Sequence, residues 1–96
     1  TVEEWISKHE SLEILAPVNF NTICFRYSQA DLSVERLNVI NEKWMNEVNA
    51  SGKAFFSHTK LEGKFVIRWV IGQTDVEQKH LESAWVLLKE KLQSIL

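Results

Sequence analysis

Three histidines, one cysteine and three glycines are the residues from which this chain could assemble a site. His9, His58 and His80 are scattered, and neither with one another nor with Cys24 do they show the close spacing of metal ligands. Cys24 has no activating neighbour in sequence and reads as a buried core thiol. His58, next to Thr59, is either a binding group or, more ordinarily, a histidine hydrogen-bonded within a sheet. His80, beside Lys79, reads as a residue of a solvated helix face. Gly52, Gly63 and Gly72 stand alone, so no glycine-rich loop is available to cradle a phosphate. The helix that follows Gly72-Gln73-Thr74 could offer amides to an anion, but Thr74 is placed to cap it instead. Gly63-Lys64-Phe65-Val66 echoes one strand of RNA-recognition motifs without their second glycine and aromatic. Trp44, Trp69 and Trp85 fall on apolar stripes, core positions first and ligand platforms second. No self-sufficient active site is visible, and the expectation is that no catalytic, cofactor-binding or metal-binding residue lies in this chain.

The elements that position these residues follow from periodicity. Thr1-Val2-Glu3-Glu4 has the capping-box spacing, and residues 2–9 read as a short helix carrying Trp5 and Ile6. Residues 12–15 form a short edge strand that Pro17 ends, with a turn at Asn19-Phe20-Asn21 and a stronger strand at 22–27. Ser33 is the expected N-cap of a helix whose stripe is Leu37, Ile40, Trp44, Met45 and Val48. Asn49-Ala50-Ser51-Gly52 closes that helix, with Gly52 as the residue suited to a left-handed cap. A hairpin follows, with strands at 54–61 and 64–71 joined by Glu62-Gly63. Thr74 and Glu77 form a second capping box before a last helix striped by Leu81, Ala84, Trp85, Leu88, Leu92 and Ile95. The order α-β-β-α-β-β-α predicts one α+β domain over residues 1–96, a four-stranded, mainly antiparallel sheet with helices on one face.

The 96 residues are 45% hydrophobic and 25% charged with a net charge of −2, values of a folded domain rather than a disordered chain. The slight acidic balance argues against nucleic acid and anionic membrane as partners, since both select a basic excess. A single cysteine excludes an internal disulfide framework and suits a reducing cytoplasmic compartment. No apolar run approaches the roughly 20 residues that cross a bilayer. A chain that begins at Thr1 rather than Met has been processed or belongs to something longer.

One strand departs from the half-exposed pattern. Phe65, Ile67, Trp69 and Ile71 point to one face while Val66, Arg68 and Val70 point to the other, so both faces are apolar except at Arg68. Helices from this chain cover one face. The other either meets a second protein surface, with Arg68 pairing across it, or is an exposed apolar sheet of an ordinary small domain.

Four stretches together resemble a known family. They are Leu15-Ala16-Pro17 ahead of Thr22-Ile23-Cys24-Phe25-Arg26-Tyr27; Asn38-Val39-Ile40-Asn41 through Val48-Asn49-Ala50-Ser51-Gly52-Lys53-Ala54; the hairpin from His58-Thr59 through Gly63-Lys64-Phe65 to Ile67-Arg68-Trp69-Val70-Ile71-Gly72; and His80 with Ala84-Trp85. In this order they are similar to the C-terminal small domain of the pyridoxal-phosphate (PLP)-dependent group II decarboxylases, in the aromatic-L-amino-acid decarboxylase branch. The likeness runs from about residue 12 to residue 90.

The resemblance implies the small-domain fold of fold-type I PLP enzymes, its sheet packed on a large PLP-binding domain of the same chain and its helices outside. It implies a cytoplasmic homodimer that releases the α-carboxylate of an amino acid as carbon dioxide, the cofactor ring accepting the electrons left behind. Tyrosine, tryptophan, dihydroxyphenylalanine, histidine and non-aromatic substrates stay open, as does an aldehyde-forming variant. The family's imine-forming lysine follows a histidine in the large domain, whereas the adjacent pair here is Lys79-His80, in reverse order. The domain alone is therefore expected to be inert and to bind no PLP. By the same analogy Arg68 is the interdomain anchor, with Val66, Val70 and His58 as further contacts. The alternative is a stand-alone α+β module that uses its free sheet face to bind a ligand or itself.

Overall fold

The computed structural model describes residues 2–15, 22–70 and 78–96. Helix α1 spans Val2–Lys8, strands β1 and β2 span Leu12–Ile14 and Thr22–Tyr27, and helix α2 spans Val34–Ala50. Strands β3 (Ser57–Leu61) and β4 (Lys64–Val70) and helix α3 (Gln78–Ile95) complete the predicted order. Both expected capping boxes, Pro17, the turn at 19–21 and Ile71 lie outside the described residues.

The ends of α2 form as their residues dictate. Ser33 is extended, and its hydroxyl accepts the Arg36 N–H at 3.2 Å. At the other end Gly52 takes a φ of +74° and donates its N–H to the Asn49 carbonyl at 3.1 Å. In the hairpin Leu61 pairs with Lys64, leaving Glu62 and Gly63 as a two-residue loop with φ of +52° and +80°. Two positive φ values define a type I′ turn, which favours Asn-Gly over Glu-Gly because asparagine tolerates the left-handed region better. Glu62→Asn is expected to raise stability by about 0.5–1 kcal/mol, read as a higher urea midpoint at unchanged slope. A lower midpoint would show that Glu62 makes a contact worth more than its backbone cost.

The sheet has the order β1-β2-β4-β3 and is antiparallel throughout. All three helices cover one face, as expected. Ile23, Phe25 and Tyr27 of β2 and Phe65, Ile67 and Trp69 of β4 form the sheet side of the core. Ile6 of α1, Leu37, Trp44 and Val48 of α2, and Leu88 and Leu92 of α3 close over them. The Trp44 ring meets Phe25 edge-to-face at 5.8 Å, and Trp5 of α1 stacks on Trp85 of α3 at 6.2 Å.

Two expectations change. The strand expected at 54–61 starts only at Ser57, because Asn49 of α2 takes both backbone groups of Phe56. The Phe56 N–H donates to Asn49 Oδ1 at 2.8 Å and Asn49 Nδ2 donates to the Phe56 carbonyl at 3.0 Å, so these groups are spent before the ladder begins. Cys24 is not a core thiol. It is half-buried on the face away from the helices, in step with Thr22 and Arg26 rather than with Ile23 and Phe25.

Asn49 is one of three asparagines on α2 that dock on the backbone of the sheet and its connections. Asn41, fully buried, accepts the Tyr27 N–H at 2.8 Å and donates to the carbonyls of Tyr27 at 3.1 Å and Leu37 at 2.8 Å. Asn38 accepts the Phe65 N–H at 2.8 Å and donates to the Gly63 carbonyl at 2.9 Å. The β2–β4 ladder stops at Phe25↔Ile67, and these side chains serve the backbone groups beyond it. Positions 38, 41 and 49 share one face of α2 by their spacing of three and eight residues. That polar row sets the helix against three different parts of the sheet.

Candidate functional site

The face of the sheet without helices carries a compact set of side chains. On β4 it presents Lys64, Val66, Arg68 and Val70, and on β2 Thr22, Cys24 and Arg26. Cys24 faces Arg68 across the β2–β4 ladder, and Ser57 and Thr59 of β3 face Arg68 and Val66 from the other side. Glu13 of β1 faces Arg26. Three of the four expected contacts, Arg68, Val66 and Val70, thus lie on one surface: Val70 is exposed, Arg68 half-buried and Val66 fully buried.

His58 is not among them. It pairs with Ile67, so its side chain rises on the helix face, where its ring stacks on Phe65 at 4.5 Å with an interplanar angle of 12°. The reason is register. A two-residue loop pairs Leu61 with Lys64, and counting back places His58 opposite a core position, one step out of phase with Arg68. The same burial of Phe65 removes it as a platform for a nucleobase.

The other candidate residues fall into structural positions. His9 follows α1, where its Nδ1 accepts the Ser11 N–H at 3.2 Å and its ring meets Trp85 edge-on. His80 is exposed on α3. Among the described residues no group of three or more His, Cys, Asp or Glu side chains could hold a metal ion. No helix among them is long and apolar enough to cross a membrane.

Two features escaped the sequence reading. Arg26 is 5% exposed although it belongs to the helix-free face. Its Nε donates to Glu13 Oε1 at 3.0 Å, while its Nη1 is buried and has no hydrogen-bond partner. Such a donor carries a desolvation cost of about 1–3 kcal/mol or more that no group among the described residues returns. The clue in sequence is the alternation Ile23, Phe25, Tyr27 against Thr22, Cys24, Arg26, which sets an arginine on a sheet surface opposite an acidic edge residue. Phe55, just before β3, is 77% exposed, an aromatic with no place in the core.

The described residues do not build a site for PLP. A surface cavity of about 500 Å³ joins Lys53 to Glu82, Ser83, Val86, Leu87 and Glu90, and one of about 450 Å³ joins Lys43 to Glu42 and Glu47. In each the lysine is flanked by two glutamates, which oppose a phosphate, and no glycine-rich turn supplies amides in their place. The donor set is that of a solvated surface.

No protein-family model matches the chain. Individual relatives match it almost from end to end. It is 35% identical over 94 residues to tryptophan decarboxylase 2 of Oryza sativa subsp. japonica, covering 98% of this chain and 19% of that protein. It is 36% identical over 94 residues to phenylacetaldehyde synthase of Arabidopsis thaliana, with the same coverage of 98% and 19%. Among solved structures, Oryza sativa TDC with PLP and tryptamine superposes with a TM-score of 0.90 at 31% identity, over 98% of this chain and 21% of that one. Mouse CSAD, at 16% identity, shares the fold with a TM-score of 0.82. The chain spans about a fifth of the length of the relatives it matches. Its four-stranded sheet, its three helices on one side and this end-to-end likeness to plant aromatic-amino-acid decarboxylases fit the C-terminal small domain of those enzymes.

Proposed function

We propose that residues 1–96 are the C-terminal small domain of a PLP-dependent amino-acid decarboxylase, inert alone and completed by a large cofactor-binding domain of the same chain. One observation carries this reading: likeness to decarboxylases along 98% of this chain but 19% of theirs. The small domain contributes a rigid body, and its helix-free sheet face is the surface by which it packs on the large domain. Lys64, Arg68 and Val70 are the contacts from β4, while Val66, fully buried within the domain, lies beneath them. His58 is left out, because its register turns it toward the helices. The full-length protein acts as a cytoplasmic homodimer on an L-amino acid, with an aromatic side chain favoured by the names of its relatives, and has neither nucleic acid nor membrane as partner.

When bound in the large domain, PLP supplies the electron sink for loss of the α-carboxylate. Relatives named tryptophan decarboxylase and phenylacetaldehyde synthase match equally well, at 35% and 36% identity. An aldehyde-forming outcome is therefore the second reading, and product analysis of the full-length protein separates amine from aldehyde.

The test is the intact mass of the natural gene product, recovered with an antibody to this domain. The expected species is about five times heavier than this chain, from its share of 19% of a relative's length. It is yellow, and borohydride fixes its cofactor to a lysine outside residues 1–96. A natural species near 11.2 kDa would overturn the reading in favour of the stand-alone module.

A further inference from the structure

The strands of the helix-free face carry a cationic excess. Strand residues of that face include three cations, Lys64, Arg26 and Arg68, against one carboxylate, Glu13, while the whole chain carries a net charge of −2. Arg26 stands two residues from Cys24 on β2, and Cys24 faces Arg68 on β4. The two arginines are thus diagonal neighbours on one face, with Cα atoms about 7–8 Å apart. Arg26 is held through Nε by Glu13, but its Nη1, buried, has no hydrogen-bond partner among the described residues. Arg68 is half-buried, and no side-chain hydrogen bond satisfies it among those of the described residues.

We propose that Arg26 and Arg68 form a two-guanidinium clamp for a carboxylate side chain of the large domain, which enters between them above Cys24. The inference rests on the small-domain reading and names the chemistry of the docking surface. A carboxylate has two oxygens and fits two forks of N–H donors, whereas a neutral carbonyl leaves one arginine unmatched. Arg26 pivots on its Nε–Glu13 bond to present Nη1, which exchanges an unmade hydrogen bond for a charge-assisted one. Val70, exposed on the same strand, flanks the clamp with apolar surface, and water excluded there strengthens it. The occupant is the remaining polypeptide because about four fifths of each matched relative lies outside the region that this chain covers. The face offered to it is cationic, so the covering surface is acidic.

The experiment uses the full-length protein carrying Arg68→Lys, treated with a water-soluble carbodiimide, which joins an amine to a carboxylate in direct contact. Wild type, whose arginines do not react, is the control. The expected product is an amide linking position 68 to an Asp or Glu outside residues 1–96, within one chain. A link from position 68 only to Glu13, or none, overturns the clamp. A product of doubled mass, joining two subunits through position 68, overturns the large domain of the same chain as occupant. In a second variant, Arg26→Met keeps an apolar stem and removes the guanidinium. Native-state alkylation of Cys24 by iodoacetamide is then expected to speed up at least tenfold, and an unchanged rate in a folded variant overturns the role of Arg26. If Arg26→Met fails to fold, the cross-link at position 68 decides alone. A natural product near 11.2 kDa defeats the small-domain reading itself, while a long chain without the cross-link defeats only the clamp.

Discussion

Trp44→Ala lowers the unfolding free energy by about 4 kcal/mol, the upper part of the range for emptying a large buried aromatic site. Trp44 is the largest fully buried side chain, and it holds two interfaces at once. Its ring meets Phe25 of β2 edge-to-face at 5.8 Å, and its Nε1–H donates to the Leu88 carbonyl of α3 at 2.8 Å. Truncation leaves a cavity where the sheet, α2 and α3 meet, and rigid elements on three sides cannot collapse into it. Trp44→Phe separates the contributions: it keeps an aromatic body and loses the hydrogen bond with some volume, for an expected cost of about 1.5–2 kcal/mol. Urea unfolding followed by circular dichroism measures both. Equal losses from the two variants would show that the hydrogen bond, not the packing, carries the effect. Domains of this size have about 5–15 kcal/mol in total, so the alanine variant sits near the edge of folding.

Asn41→Leu is the second large effect, at about 3–4 kcal/mol, although leucine matches asparagine in size and is the better helix former. The loss comes from the backbone. Tyr27 gives its N–H and its carbonyl to Asn41, and both become buried groups without partners. Asn41→Asp makes the electrostatics explicit. A carboxylate still accepts the Tyr27 N–H but faces the carbonyls of Tyr27 and Leu37, to which it can donate nothing when ionised. Burial and those two oxygens raise the folded-state pKa of the introduced carboxyl above its unfolded value. The sign follows: the variant is most stable below the unfolded carboxyl pKa of about 3.9 and loses stability as pH rises through the higher folded value. Stability of Asn41→Asp relative to wild type, measured from pH 3 to pH 8, therefore falls with increasing pH. A flat difference would place position 41 in contact with solvent.

The parts of the fold that were legible are those written in local periodicity. The α2 stripe of Leu37, Trp44 and Val48 faces the core, Ser33 and Gly52 bound the helix, and Glu62-Gly63 makes the hairpin. The double-faced apolar character of β4 also held, with Ile67 and Trp69 under the helices and Val66 and Val70 on the other side. Of the candidate site, Arg68, Val66 and Val70 share parity on one strand and therefore fall on one side of the sheet. His58 was misplaced because the parity of β3 relative to β4 is set by the loop, and counting through a two-residue turn from Leu61↔Lys64 would have turned it inward. Cys24 is apolar in type but follows the alternation of β2, which sets it beside Thr22 and Arg26 on the polar face.

Sequence alone determined which segments are helix and strand, the class of the domain and the family it resembles, because stripes, caps and turn chemistry act over a few residues. Tertiary structure decided what lies between segments. The polar row of Asn38, Asn41 and Asn49 reads as an ordinary helix surface until Phe65, Tyr27 and Phe56 arrive with backbone groups to bond. Arg26 reads as a solvated strand residue until Glu13 fixes its Nε and burial strips water from Nη1. Hydrogen-bond needs of the main chain are identical at every residue, so no local pattern announces which side chain will meet them. That assignment exists only once distant segments are brought within about 3 Å of each other.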